Sequence, residues 1–247
     1  MKKNVVIVDS GLGGLSLIPT FLKELPFKNY IYFADNKNLP YGNKSKKELL
    51  KITINNIKYI KKKFKPFMIV FGCNTIGSTL YDEICKIYPE LIIFSIKPNY
   101  DSLIKDENSL LIATSATINK LKDIYINKSN LDLCKMPLLA SKIEKNINNL
   151  QVTYSYLKRR LEKYKPNVII LGCTHYYFIK NVLKNLFPNA HFIDGVEILT
   201  SQIKKFLKIN NFKDFKNKKI KINVKLTKKD KCKKKYINII NNFLKCK

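Results

Sequence analysis

Lys65-Pro66-Phe67-Met68-Ile69-Val70-Phe71-Gly72-Cys73 is answered, 100 residues on, by Lys165-Pro166-Asn167-Val168-Ile169-Ile170-Leu171-Gly172-Cys173. Each copy is a proline-opened apolar run that ends on Gly-Cys. Each then passes into a polar turn, Asn74-Thr75 in one and Thr174-His175 in the other. A short, nearly continuous apolar run reads as a parallel strand covered on both faces. A repeat at this distance implies two related halves, each carrying one cysteine at the same place. Open α/β sheets bind ligands at the carboxyl ends of their strands, where both cysteines fall.

Working outward, further short apolar runs occur at Val5–Val8, Ile31–Phe33, Leu91–Phe94 and Leu110–Ala113. Helical patterns at about residues 15–25, 76–88, 117–127, 141–164, 176–187 and 196–208 alternate with them. Ser45 followed by Glu48 makes a capping box for one more helix, running to about Lys63. This alternation predicts a doubly wound α/β architecture. Towards the C-terminus Ile220, Ile222, Val224 and Leu226 alternate with polar residues as in an edge strand. A last amphipathic helix then turns Tyr236, Ile237, Ile240 and Phe243-Leu244 inward.

The chain of 247 residues suits one large or two small domains and is 45% hydrophobic, enough for a sizeable core. Val5–Val8 is too short for a signal peptide, and no apolar stretch would span a bilayer, so a cytoplasmic location is expected. The net charge is +29, yet all of the 47 basic residues except Arg159 and Arg160 are lysine. Arginine is the preferred residue for forked contacts to phosphates and bases. Its scarcity favours solvated lysine faces over a nucleic-acid surface, although the charge would still attract a small dicarboxylate. Six cysteines, at 73, 85, 134, 173, 232 and 246, form no Cys-x-x-Cys pair and suggest free thiols.

Cys73 and Cys173 each follow a strand and open a helix, where backbone N–H groups favour a thiolate. Both pKa values are therefore expected to fall towards neutrality. Two such thiols on opposing halves would reach opposite faces of one carbon, as inversion of a stereocentre by proton transfer requires. The other four cysteines lack the polar flanks and read as small hydrophobes. Asp9-Ser10-Gly11-Leu12-Gly13-Gly14 follows the first strand but has Ser16 where a dinucleotide loop needs glycine. Asp9 would repel a pyrophosphate; it suits an ammonium group and stands ready to modulate Cys73. Of the two histidines, His191 lies in an apolar run and reads as structural, while His175 is placed to assist Cys173. A zinc site of Cys73, Cys173 and His175 would lack the usual close ligand pairs. A hydrolase with Cys73 as nucleophile and His175 as base would leave the second cysteine without a role.

Together, Asp9-Ser10-Gly11 with Gly13-Gly14, Pro40-Tyr41-Gly42, Cys73-Asn74-Thr75, Ala113-Thr114 with Thr117, and Gly172-Cys173-Thr174-His175-Tyr176 resemble bacterial glutamate racemase. The resemblance implies two Rossmann-like domains, related by a pseudo-twofold, with parallel sheets facing each other across a central cleft. Residues 1–96 with 193–247 would form the first domain and residues 97–192 the second. It implies an isomerase without pyridoxal phosphate, metal or other cofactor, often a homodimer, making D-glutamate for peptidoglycan. Cys73 and Cys173 would transfer the protons, assisted by Asp9 and His175. Ser10, Pro40, Tyr41, Gly42, Asn74, Thr75, Thr117 and Thr174 would join Asp9 and His175 in holding glutamate.

The sequence departs from the family pattern in several places. Pro137-Leu138-Leu139 is followed by Ala140 where the family carries an acid, and Glu144 stands one helical turn on. Ser95-Ile96-Lys97-Pro98 replaces a Gly-Val-x-Pro, Tyr177 a proline, and Lys228 a glycine. Two alternatives follow: an aspartate racemase of the same superfamily, and a racemase scaffold that has lost activity and binds another partner.

Overall fold

The computed structural model describes residues 3–97, 108–125, 127, 129–212, 220–228 and 233–245. In chain order the elements are β1 (Asn4–Asp9), α1 (Ile18–Glu24), β2 (Asn29–Ala34), α2 (Lys46–Phe64), β3 (Met68–Phe71), α3 (Asn74–Thr79), α4 (Tyr81–Ile87) and β4 (Ile93–Ser95). There follow β5 (Ser109–Ala113), α5 (Ser115–Leu121), β6 (Leu131–Lys135), α6 (Leu139–Lys145), α7 (Tyr154–Leu161), β7 (Val168–Gly172), α8 (Lys180–Leu186) and β8 (His191–Ile193). The chain closes with α9 (Val196–Ile209), β9 (Lys221–Leu226) and α10 (Lys233–Lys245). Short 3-10 turns lie at Gly13–Leu17, Tyr41–Asn43, Leu150–Thr153 and Thr174–Ile179.

The strands form two sheets, ordered β4-β3-β1-β2-β9 and β6-β5-β7-β8. Every pairing is parallel. The alternation of β1 explains why helices cover both faces. Val5 and Ile7 pack towards α1, α9 and α10, while Val6 and Val8 pack towards α2 and α4. In the second sheet Leu110, Ile112, Ile169 and Leu171 face α6, α7 and α8. Leu111 and Ile170 face α5. Burying such a side chain fully contributes roughly 1.5–3 kcal/mol.

The N-cap half of the capping box forms, with Ser45 Oγ accepting from Glu48 N at 3.2 Å and opening α2, while the Glu48 carboxylate accepts from Lys44 Nζ. The two repeats become β3 and β7, each an interior strand paired along both sides. The expected helix over 141–164 is instead α6, a 3-10 turn and α7. The break falls at Asn146-Ile147-Asn148-Asn149, where asparagine competes with helical hydrogen bonding; Asn146 Nδ2 donates to Lys142 O at 2.9 Å. Strands β6 and β8 were not expected. Both pair along only one side, β6 with β5 and β8 with β7, and carry polar residues that mask the pattern. His191 is exposed on β8 rather than buried in the core. On α10, Tyr236 and Ile240 are buried as expected, but Ile237 and Leu244 are exposed. Cys232, Cys246 and Pro98 lie outside the described residues.

Candidate active site

Strands β1, β3 and β7 deliver Asp9, Cys73 and Cys173 at or just beyond their carboxyl ends. Cys73 is the residue before α3, and Cys173 the residue before the turn Thr174–Ile179. All three side chains are buried. The two sheets meet here through polar contacts. Thr174 Oγ1 donates to Asp9 Oδ2 at 3.4 Å, crossing from the second sheet to the first. A second crossing links Thr75 Oγ1 to Thr114 Oγ1 at 3.2 Å, and Thr114 Oγ1 to Thr117 Oγ1 at 3.1 Å.

Around Cys73 the dominant feature is a buried carboxyl. Burial raises the Asp9 pKa to about 7, against the pull of His175 and of the Gly11 N–H; that N–H donates to Asp9 Oδ1 at 2.7 Å. Burial, with Asp9 next and Cys173 adding to it, pushes the Cys73 thiol well above its ordinary range. The N–H groups of Ile76 and Thr75 pull it down, as a helix N-terminus should, but do not prevail. This corrects the expectation of a near-neutral thiol at Cys73: desolvation outweighs the helix end.

Around Cys173 the partner is an imidazole. His175 Nδ1 lies 3.7 Å from Cys173 Sγ, and His175 Nε2 lies 2.8 Å from Glu144 Oε1. Burial alone would lower the His175 pKa, but hydrogen bonds to Cys173 and Glu144 hold it well above its ordinary value. The same Glu144 oxygen accepts from Leu12 N in the first sheet's loop. Ala140 brings no carboxylate to this junction; Glu144, one turn later on the same helix α6, brings the one that meets His175. The hydrolase reading required His175 beside Cys73; the imidazole pairs with Cys173 instead. Among the described residues, no three His, Cys, Asp or Glu side chains converge closely enough to hold a metal ion.

The expected binding residues gather at this junction. Ser10, Asn74, Thr75, Thr117 and Thr174 are all buried. Asn74 Nδ2 is buried with no hydrogen-bond partner among the described residues, a donor that a closed site should spend on a ligand. Gly42 abuts Thr114: a Cβ there would come within 2.8 Å of Thr114 Cβ. Pro40 is half-buried beside it. Tyr41 is buried, but its hydroxyl is committed to Asp35 Oδ2 at 2.7 Å. Asn38, Asn56 and Thr227 also bond that carboxylate. Asp35 is the hub that shapes the Pro40-Tyr41-Gly42 loop, and its position at the end of β2 was its only signal in the sequence. Gly13 is needed for close approach, since a Cβ there would lie 2.5 Å from His175 Nδ1. Thr114 is the N-cap of α5 and the centre of the threonine chain.

Two parallel α/β sheets with a thiol at a matching strand end of each define a racemase of the aspartate/glutamate superfamily. No protein-family model matches the sequence. Curated relatives do. The glutamate racemase of Buchnera aphidicola subsp. Acyrthosiphon pisum (strain 5A) is 36% identical over 242 residues, 92% of this chain and 90% of its own. Those of Buchnera aphidicola subsp. Schizaphis graminum and Clostridium acetobutylicum are 31% and 30% identical, again over at least nine-tenths of both chains. The chain belongs to the glutamate racemase family. The fold agrees with solved structures of Escherichia coli glutamate racemase in complex with L-glutamate and an activator (TM-score 0.82, 20% identity, 98% and 96% of the two chains). It also agrees with Francisella tularensis glutamate racemase in complex with D-glutamate (TM-score 0.81, 24% identity, 99% and 94% of the chains).

Proposed function

We propose that this chain interconverts L- and D-glutamate by moving the α-proton between Cys73 and Cys173. The observation that carries the reading is the pair of buried thiols, Cys73 and Cys173, at matching strand ends of the two sheets. With glutamate between them, one thiolate removes the α-proton. The Cα–H electron pair is left on carbon, and the opposite thiol returns a proton to the other face. Asp9 takes and returns the proton of Cys73; its raised pKa of about 7 brings it closer to the thiol than an ordinary carboxylate would be. His175, backed by Glu144, does the same for Cys173. Ser10, Asn74, Thr75, Thr117 and Thr174 supply donors to the carboxylates, and the Pro40-Tyr41-Gly42 loop closes over them. Asp9 also faces the ammonium group.

The same reading divides the chain into residues 1–96 with 193–247 and residues 97–192. It also makes the protein a cytoplasmic homodimer that supplies D-glutamate to peptidoglycan. Among the described residues, no helix is long and apolar enough to cross a membrane.

The test is proton NMR of L-glutamate, and separately of L-aspartate, with the purified protein in D2O and no added cofactor. Loss of the glutamate α-proton with formation of the D-enantiomer is expected. Exchange of aspartate alone would move the assignment to an aspartate racemase, and exchange of neither would end it.

A further inference from the structure

The geometry points to Lys235 on α10 as a positioning residue that reaches from the first sheet's side to the end of α6 and holds Glu144 against His175. The inference rests on the function proposed above for what His175 does, but its structural content stands apart from that reading.

Glu144 is the penultimate residue of a helix of seven residues. That helix opens without a side-chain cap and runs out into three asparagines within four residues. At its end Asn146 satisfies the carbonyls of Lys142 and Ile143, while the carbonyl of Glu144 is one of those a helix end leaves for an outside donor. Lys235 Nζ donates to one of those carbonyls, Glu144 O. A cation at a helix C-terminus also opposes the helix dipole favourably.

Lys235 is itself anchored by the next residue. Tyr236 is 3% exposed and packs its ring 6.0 Å from that of Tyr32 on β2. The Tyr32 hydroxyl donates to Gly11 O at 2.7 Å, and Gly11 precedes Leu12, whose N–H reaches the Glu144 carboxylate. Two contacts that start from one rigid patch of the first sheet therefore end on one residue of the second half. One fixes the backbone of Glu144 and the other its carboxylate.

The space around this contact shows that packing alone does not hold it. A cavity of about 360 Å³ lies between the halves here, bounded by Asn36, Leu39, Lys145, Lys228 and Lys235. Within the cavity wall, Lys235 bridges to α6 by a directed hydrogen bond. If that bond is removed, the end of α6 is free to shift into the cavity and carry Glu144 off His175.

The test uses the two histidines as reporters. In protein labelled with 15N-histidine, His191 is exposed and serves as the internal reference. His175 is faced by Glu144 from α6, by Cys173 from its own turn and by Asp9 from β1. In the wild type His175 should titrate well above the ordinary histidine range. Lys235→Met keeps the aliphatic stem and removes the donor. It should lower the His175 midpoint by about one pH unit. It should also reduce kcat for glutamate about tenfold with KM within about twofold. Lys235→Arg, which keeps a donor, should restore both. An unchanged His175 titration in folded Lys235→Met protein would overturn the proposal. So would a folded Lys235→Arg protein that behaves like the methionine variant. The titration needs no substrate, so a wild type that fails to exchange glutamate would count against the proposed function and not against this contact.

Discussion

The same strand and turn were built twice in this chain, and the two copies have diverged in what stands beside the sulfur. At the end of β3, Cys73 is pushed up by burial and by Asp9. At the end of β7, Cys173 lies 3.7 Å from an imidazole that is hydrogen-bonded in turn to Glu144. The backbone element is common; the proton partner is not. A carboxyl raises the pKa of one thiol, and an imidazole–carboxylate pair stands beside the other. In the proposed reversible transfer each thiol acts as base in one direction and as acid in the other. Chemically different partners can keep both roles available at a single pH.

The largest expected effect comes from removing either sulfur. Cys73→Ser and Cys173→Ser should each slow glutamate racemisation by about 10³-fold or more, since a hydroxyl cannot replace the thiolate. Circular dichroism should show both proteins folded. Near-normal turnover in one variant would mean that the halves are not equal partners.

Asp9→Asn should cost about 10²-fold in kcat and change the pH profile. Asp9 must be ionised to take a proton, so wild-type activity should fall as pH drops below about 7, the raised pKa of this carboxyl. The variant should lose that limb. Its stability has a worked-out sign. Because the folded state raises the Asp9 pKa, the fold favours the protonated form. The stabilisation this gives is complete below the unfolded value and is lost as pH rises to about 7. Asp9→Asn should therefore be more stable than wild type at pH 8, by roughly 4 kcal/mol. The gain should shrink towards pH 4 in urea titrations.

On the other side, Gly13→Ala would place a methyl 2.5 Å from His175 Nδ1. A drop in kcat of about tenfold or more is expected, with a lowered His175 titration seen by NMR. The smallest effects separate the caps of the two halves. Ser45→Ala should cost about 1 kcal/mol in urea titrations and leave kcat alone. Thr114→Ala should cost a similar amount and also raise KM, because Thr114 links Thr75 to Thr117 across the cleft.

Much of this was legible in the residues, for identifiable reasons. The two Gly-Cys strands are apolar on both faces, so β3 and β7 announced themselves, and their shared ending located the site. The capping box at Ser45 and Glu48 fixed the start of α2. What escaped was whatever depends on contacts between distant segments. Strands β6 and β8 are short, paired along one side and partly polar. The break after α6 lies in asparagines whose side chains bond the backbone. Cys73 shows the limit most clearly: its place before a helix is local and readable, whereas the burial and the carboxyl that reverse its pKa shift come from folding. Glu144 was only a neighbour of Ala140 in the sequence; its contacts with His175 and Leu12 required three segments to meet.

The most direct test of the two-thiol account follows the isotope in each enantiomer separately. L-glutamate is incubated with the enzyme in D2O, stopped at a few per cent conversion, and resolved into D- and L-pools for mass spectrometry. If one thiol removes the proton and the other returns it, the D-glutamate formed carries solvent deuterium at Cα and the remaining L-glutamate keeps its proton. α-Protium retained in the D-product, or deuterium entering the L-pool as fast as racemisation proceeds, would show a single group working on both faces and would contradict the account.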